Sequence, residues 1–214
     1  MDLHRRLSAC EDKLNHIEIK RAISKIKSDL FKKNVLNSEF CIVPNDYYER
    51  TLEDRAIILQ AHTIDQLCKT IVFENMNFKL SNNLPGIDSD CNDASNPRYI
   101  CVIVQYSAKI DTELLVQALI CLRKPGEHRL SKSNFNFQLA PETVSDALTG
   151  FIHNGVTPYA LKTSLPILIC QRCLQVSPPL IWMGGGHPQV KLRVSASDFL
   201  RSTGALSYLV SNPR

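Results

Sequence analysis

The sequence predicts a mixed-sheet α/β domain of the α+β kind with a long amphipathic helix ahead of it, and three observations carry that reading. Apolar residues recur at heptad-like intervals through the first 33 positions, β-branched apolar runs recur along the rest of the chain, and helical segments separate those runs without strict strand–helix alternation. A chain of 214 residues with 44% hydrophobic content can bury a full core. One domain with an appendage is therefore expected, residues 1–40 forming the helical extension and 45–214 the domain.

The helix rests on Leu3, Leu7, Cys10, Leu14 and Ile17, which keep the alternating four- and three-residue spacing of a heptad seam. Ile19, Ile23, Ile26 and Leu30 resume that spacing after a two-residue phase shift. An exposed apolar row is unfavourable, so the stripe is expected to lie on the body of the protein or against another chain, and the spacing leaves both open. Pro44 interrupts the pattern. Thr51 with Asp54 marks a helix start running to about Ala61, and Thr63 with Gln66 repeats the capping spacing before Thr70-Ile71-Val72-Phe73 opens a strand. Residues 81–97 are polar and turn-rich, which predicts a surface loop. Arg98–Tyr106 reads as a central strand, and a helix over Thr112–Leu122 is expected to stop at Lys124-Pro125-Gly126. Pro141–Thr149 predicts another helix with Gly150 at its end. Strands are expected at Pro166–Cys170, Leu180–Met183 and Val190–Val194, then a helix from Ser195 to near Gly204.

Composition narrows the function classes. No run approaches the roughly 18 apolar residues that span a bilayer, and the charged opening MDLHRRLSACEDKLNH does not resemble a signal peptide, so a cytoplasmic protein without membrane partners is expected. Eight scattered cysteines lack the density of a disulfide scaffold. Cys170 and Cys173 form a Cys-x-x-Cys pair without a second pair at finger spacing, and no His-x-x-x-His completes a site, so neither metal nor other cofactor is expected. The net charge of +4 sits in residues 1–33, which hold nine Lys/Arg against five Asp/Glu and leave 16 of each for the remainder. Such an arm suits a polyanion, although on charge alone a solvated helix face is the preferred explanation.

Three segments carry candidate chemistry. Gly150-Phe151-Ile152-His153-Asn154-Gly155-Val156-Thr157-Pro158 leaves a helix and turns at a Gly-x-x-Pro loop, where Gly155 lets main chain approach a ligand and Pro158 holds the geometry. Trp182-Met183-Gly184-Gly185-Gly186-His187-Pro188 sets three glycines after a strand, a second stretch of closely approaching backbone. Lys69 stands at a helix-to-strand junction.

The order GFIHNGVTPYALKTSLPILI, IWMGGGHPQVKLRV, SASDFLRSTGA resembles the C-terminal half of the YbaK family, the editing domain also inserted in or associated with bacterial-type prolyl-tRNA synthetases. Leu67-Cys68-Lys69-Thr70-Ile71-Val72 is similar to that family's segment in which a lysine opens a strand, and the resemblance covers roughly residues 50–211. It implies a mixed, partly barrelled sheet with surrounding helices. The implied activity is hydrolysis of the ester joining a wrong amino acid to the 3′-terminal adenosine of tRNA, with alanine, cysteine or serine as the misplaced residue and a proline tRNA among the carriers. Lys69 aligns with the lysine those enzymes need, a point cation that holds phosphate or ribose and orients the ester.

No Ser-His-Asp or Cys-His set is evident, so an activated water assisted by the substrate's ribose hydroxyl is expected to attack, with backbone N–H groups of the Gly155 and Gly184–Gly186 loops facing the oxyanion. Val156, Thr157, Pro158 and His153 are expected in the pocket wall, and His187 either bonds the substrate or is structural. Implied partners are the acceptor end of an aminoacyl-tRNA, an aminoacyl-tRNA synthetase or its complex, and a second copy of the chain through residues 1–33. The alternative function is a non-catalytic protein of the same fold that docks to a synthetase complex through its N-terminal helix.

Overall fold

The computed structural model describes residues 2–78, 93–123 and 130–213. Helix α1 spans Asp2–Lys32, and its two apolar stripes meet different fates. Each residue turns an α-helix by about 100°, so the two-residue shift swings the stripe by roughly 200°, onto the opposite side. The later stripe faces the body: Ile19, Ile26 and Leu30 are 5%, 0% and 1% exposed, whereas Leu7, Leu14 and Ile17 are 52%, 62% and 47% exposed. Asn15 donates to the Gln189 side chain, and the Asp29 carboxylate accepts the Ala160 amide, so the helix is also fastened by polar contacts.

Strand β1 (Glu39–Ile42) and helix α2 (Leu52–Ile58) follow, the latter capped by the Thr51 hydroxyl, which accepts the Asp54 amide. Strands β2 (Cys68–Asn75), β3 (Tyr99–Gln105) and β4 (Ala108–Ile110) lead to α3 (Thr112–Ile120). Next come β5 (Phe137–Leu139), α4 (Glu142–Thr149), β6 (Ile167–Cys170) and the short α5 (Gln171–Leu174). Strands β7 (Leu180–Gly184) and β8 (Val190–Ser195), helix α6 (Ala196–Thr203), β9 (Leu206–Tyr208) and β10 (Ser211–Pro213) complete the order. Gly150 and Gly204 close α4 and α6 in the left-handed region, at φ 73° and 62°, where a Cβ would be strained.

The predicted central strand is central. β3 is buried along its length, pairing antiparallel with β2 and parallel with β6 in a five-stranded mixed sheet ordered β5-β2-β3-β6-β9. A second sheet, β1-β8-β7, is antiparallel, and β4 pairs with β10. Among the described residues these strands close no barrel, but a parallel bridge between Leu67 and Trp182 brings the start of β2 beside β7. The predicted α2 ends at Ile58, short of Ala61. The loop expected over 81–97 falls mostly, and the stop at Lys124-Pro125-Gly126 wholly, outside the described residues.

The main core joins the large sheet to Ile26 and Leu30 of α1. A smaller cluster of Val43, Tyr47, Ala56, Leu59, Leu67 and Trp182 packs where the two sheets approach. Truncating Ile26 to alanine is expected to cost about 2–5 kcal/mol through a buried cavity. The same change at exposed Leu14 is expected to stay within about 0.5 kcal/mol. Denaturant midpoints of the two variants check this, and equal losses would contradict the packing of α1.

Candidate active site

A cavity of about 360 Å³ lies between the two sheets, with Tyr47, Tyr48, Tyr106 and Trp182 among its walls and Lys69 and Lys191 as its cationic side chains. Lys69 is brought there by β2, opposite Val104 of β3, with its Nζ 5.9 Å from the Tyr106 ring centroid. Beside it, the Thr70 hydroxyl is buried without a hydrogen-bond partner among the described residues.

The two glycine segments meet. The Gly186 amide donates to the Gly155 carbonyl at 2.9 Å, joining the Gly-x-x-Pro loop to the β7–β8 hairpin. Gly184 packs so closely on this loop that a Cβ there would lie 2.1 Å from the Val156 carbonyl oxygen. A Cβ on Gly155 would fall 3.2 Å from Gly186 and His187 backbone atoms. The glycines are therefore needed for backbone-to-backbone contact.

Of the residues expected at the site, Lys69, His153, Val156 and Gly184 line the cavity. His153 is a rim residue, its side chain 68% exposed and its Nδ1 3.2 Å from the Glu142 carboxylate. Gly155, Thr157, Pro158, Gly185, Gly186 and His187 stand behind the wall. Thr157 and Pro158 are buried. Gly186 lies under α1, where a Cβ would be 2.7 Å from the Ile26 side chain. His187 accepts the Gln189 amide through Nδ1, and its pKa is lowered by burial and by Lys191, against an opposing pull from Glu18 of α1.

Three of the backbone donors expected for an oxyanion are already spent. The amides of Gly155, Gly185 and Gly186 donate to the carbonyls of Ile152, Val190 and Gly155. Two lysines also line the cavity.

Lys191 escaped sequence reasoning because it alternates with Arg193 along β8, a pattern that reads as an outward polar face. Only Arg193 meets solvent, pairing with Glu39. Lys191 is 4% exposed, roofed by Tyr47 and Tyr48, whose ring centroids lie 5.1 Å and 4.4 Å from its Nζ. Its Nζ donates to the Tyr48 hydroxyl and, at 2.8 Å, to the Pro188 carbonyl. Tyr48 in turn donates to the Asn154 carbonyl at 2.8 Å. Burial, reinforced by the Arg55 guanidinium, brings the Lys191 pKa down to about 7. The Tyr48 phenol is pushed well above its usual range, chiefly by burial.

No family model and no curated relative matches the sequence. Among solved structures, one described as a candidate trans-editing enzyme for prolyl-tRNA synthetase is similar at TM-score 0.66 and 18% identity, over 89% of this chain and 97% of that one. A hypothetical protein gives TM-score 0.61 at 17% identity, over 88% and 99% of the two chains. A scaffold from computational epitope backbone grafting gives 0.65 at 16%, over 90% and 98%. At these identities the likeness is one of fold, a mixed α+β domain shared over nearly the whole length of each neighbour.

Proposed function

We propose that this protein is a trans-editing deacylase of the YbaK type, hydrolysing the ester of a mischarged aminoacyl-tRNA. Residues 45–214 would form the editing domain and 1–40 its helical extension. The observation that carries the reading is the convergence of Lys69 with the joined Gly155 and Gly184–Gly186 segments on one cavity, in a fold shared with a candidate trans-editing enzyme.

The aminoacyl group enters the cavity, and Lys69 acts as the cation that holds the terminal phosphate or ribose and presents the ester to water. Glu142 and Asp146, which line the cavity, would accept the α-ammonium. Alanine, cysteine and serine are the side chains that the resemblance implies, and Val156 and Gly184 are in the wall they would meet. Pockets separate such residues by only about 1–3 kcal/mol per methylene, so substrate preference is a matter for measurement. Incubation with Ala-, Cys-, Ser- and Pro-charged proline tRNA, alongside correctly charged alanine, cysteine and serine tRNAs, tests the reading. Selective release of a small non-cognate amino acid is expected, and no release from any charged tRNA would end it.

A second role is favoured by the exposed Leu7, Leu14 and Ile17, which face away from the body that α1 packs on. Arg6 and Lys13 flank this stripe on one side and Glu11 and Glu18 on the other, an arrangement that pairs opposite charges between two parallel copies. The extension would thus assemble the protein, with a second chain as partner. Sedimentation of the full chain and of a deletion of residues 1–18 checks this; a dimer that persists after the deletion, or a full chain that is monomeric throughout, would refute it. In the latter case docking to a synthetase, or tRNA contact weakened by salt, becomes the role to test.

A further inference from the structure

We infer that Lys191 is a second catalytic lysine, the group that takes the proton from the attacking water and returns it to the departing ribose oxygen. This rests on the deacylase reading but concerns a residue to which the resemblance assigns no role.

The geometry of the amine is the starting point. Tyr48 has one proton, given to the Asn154 carbonyl, so its oxygen acts toward Lys191 only as an acceptor. Lys191 therefore spends one N–H on Tyr48 and a second on the Pro188 carbonyl. A primary amine has one position left: a lone pair when neutral, a third N–H when protonated. Because Lys191 lines the cavity, that position can serve a water or an ester oxygen within it. The two hydrogen bonds fix the nitrogen, so proton gain and loss occur at one place.

The surroundings favour the neutral form. Tyr47 and Tyr48 cover the side chain, Arg55 of α2 adds like charge, Lys69 of β2 lines the same cavity, and His187 approaches from the β7–β8 hairpin. Cys41 of β1 is the cross-strand neighbour, and its thiol is pushed upward by burial and by Glu39. Among the described residues no ion pair contains Lys191, so no carboxylate holds it charged. The two lysines thus divide the work. Lys69 binds, and Lys191 is the exchangeable base, buried against the cavity while His153 and Glu142 pair with each other at its rim.

The steps balance. Water oxygen bonds to the ester carbonyl carbon as one water proton moves to Lys191 Nζ. The tetrahedral intermediate then breaks its bond to the ribose oxygen, which receives the proton from the Lys191 ammonium. The products are the free amino acid and the tRNA terminal hydroxyl, with Lys191 neutral again.

The test is the pH dependence of single-turnover deacylation between pH 5.5 and 8.5 for wild type, Lys191→Met and Lys191→Arg, after subtracting spontaneous hydrolysis. Wild type is expected to rise about tenfold per pH unit to a plateau near neutrality, and both variants to lose about 10²–10⁴-fold at the plateau together with that limb. The substrate's own α-amine titrates in the same range, so a limb that persists in Lys191→Met belongs to the substrate and overturns the assignment. So do variants as fast as wild type. Thermal melts establish that the variants fold. Labelling of wild-type Lys191 by acetic anhydride, read by mass spectrometry against pH, gives an independent measure; onset of reactivity only above about pH 10, the ordinary lysine range, would overturn the proposal without any variant. A wild type inactive on every charged tRNA defeats the deacylase reading itself, whereas an active wild type with unaffected variants defeats only the role of Lys191.

Discussion

Gly184→Ala is expected to lower stability by about 1–3 kcal/mol and to slow deacylation by at least about 10²-fold. The added methyl would sit 2.1 Å from the Val156 oxygen and 3.0 Å from its carbonyl carbon. These are backbone atoms at a loop tied down by the Gly186–Gly155 and Tyr48–Asn154 hydrogen bonds, so the clash cannot be relieved by a side-chain rotation. The loop must shift, and with it the cavity wall that Val156 supplies. Gly204→Ala is the control. It occupies a left-handed position, at φ 62°, but has no atom within 4 Å of the new methyl. Backbone strain of about 1–2 kcal/mol is expected there, with deacylation unchanged. Melting temperature and single-turnover rate, measured on both variants, separate loss of stability from loss of the wall.

Lys191→Met should raise stability while removing activity, a combination that ordinary core damage does not produce. The unfolded chain binds a proton at Lys191 up to its usual pKa of 10.5, whereas the folded protein releases it from about 7. Between those values the unfolded state carries more protons, so wild-type stability rises with pH. The cost of burying the ammonium is fully present below about pH 7, where it amounts to at most about 5 kcal/mol. It vanishes above 10.5. Above about pH 10 an opposing trend enters, because burial holds the Tyr47 and Tyr48 phenols protonated only in the fold. Denaturant curves from pH 6 to 9 should therefore slope upward for wild type, and the slope should be much reduced in Lys191→Met, whose advantage is greatest at the acidic end. A variant less stable than wild type at pH 6 would contradict the burial of a reluctant cation.

What can be read from the sequence divides by range. Caps and stops are legible because their chemistry is local: Thr51 and Ser195 accept amides three residues on, and Gly150 and Gly204 adopt the left-handed turns that end their helices. β3 is legible because its apolar run has no outward face. The short strands β1, β4, β5, β9 and β10 are not, since three or four residues show no period and depend on a neighbouring strand to define them. The burial of α1 is half legible. Its phase shift is visible, but which stripe meets the body depends on distant partners: Gly186, against which Ile26 packs, and Gln189, whose side chain accepts from Asn15.

The candidate site shows the same divide. Lys69 and the glycine segments stand out by pattern, and they do meet at one place. Their division of labour is not readable, because whether a glycine amide is available to a ligand depends on which carbonyl already accepts it. Lys191 is hidden by strand alternation, which assigns a face but not what lies over it. Only the fold reveals that two tyrosines turn an outward lysine into a buried one.

The central claim, that Lys69 and the joined glycine segments form a hydrolytic site, is tested most directly by single-turnover release of the amino acid from the preferred mischarged tRNA, with wild type and Lys69→Ala measured side by side. Loss of the positioning cation is expected to slow release by about 10²-fold or more with little change in melting temperature. Release by Lys69→Ala at the wild-type rate would contradict it.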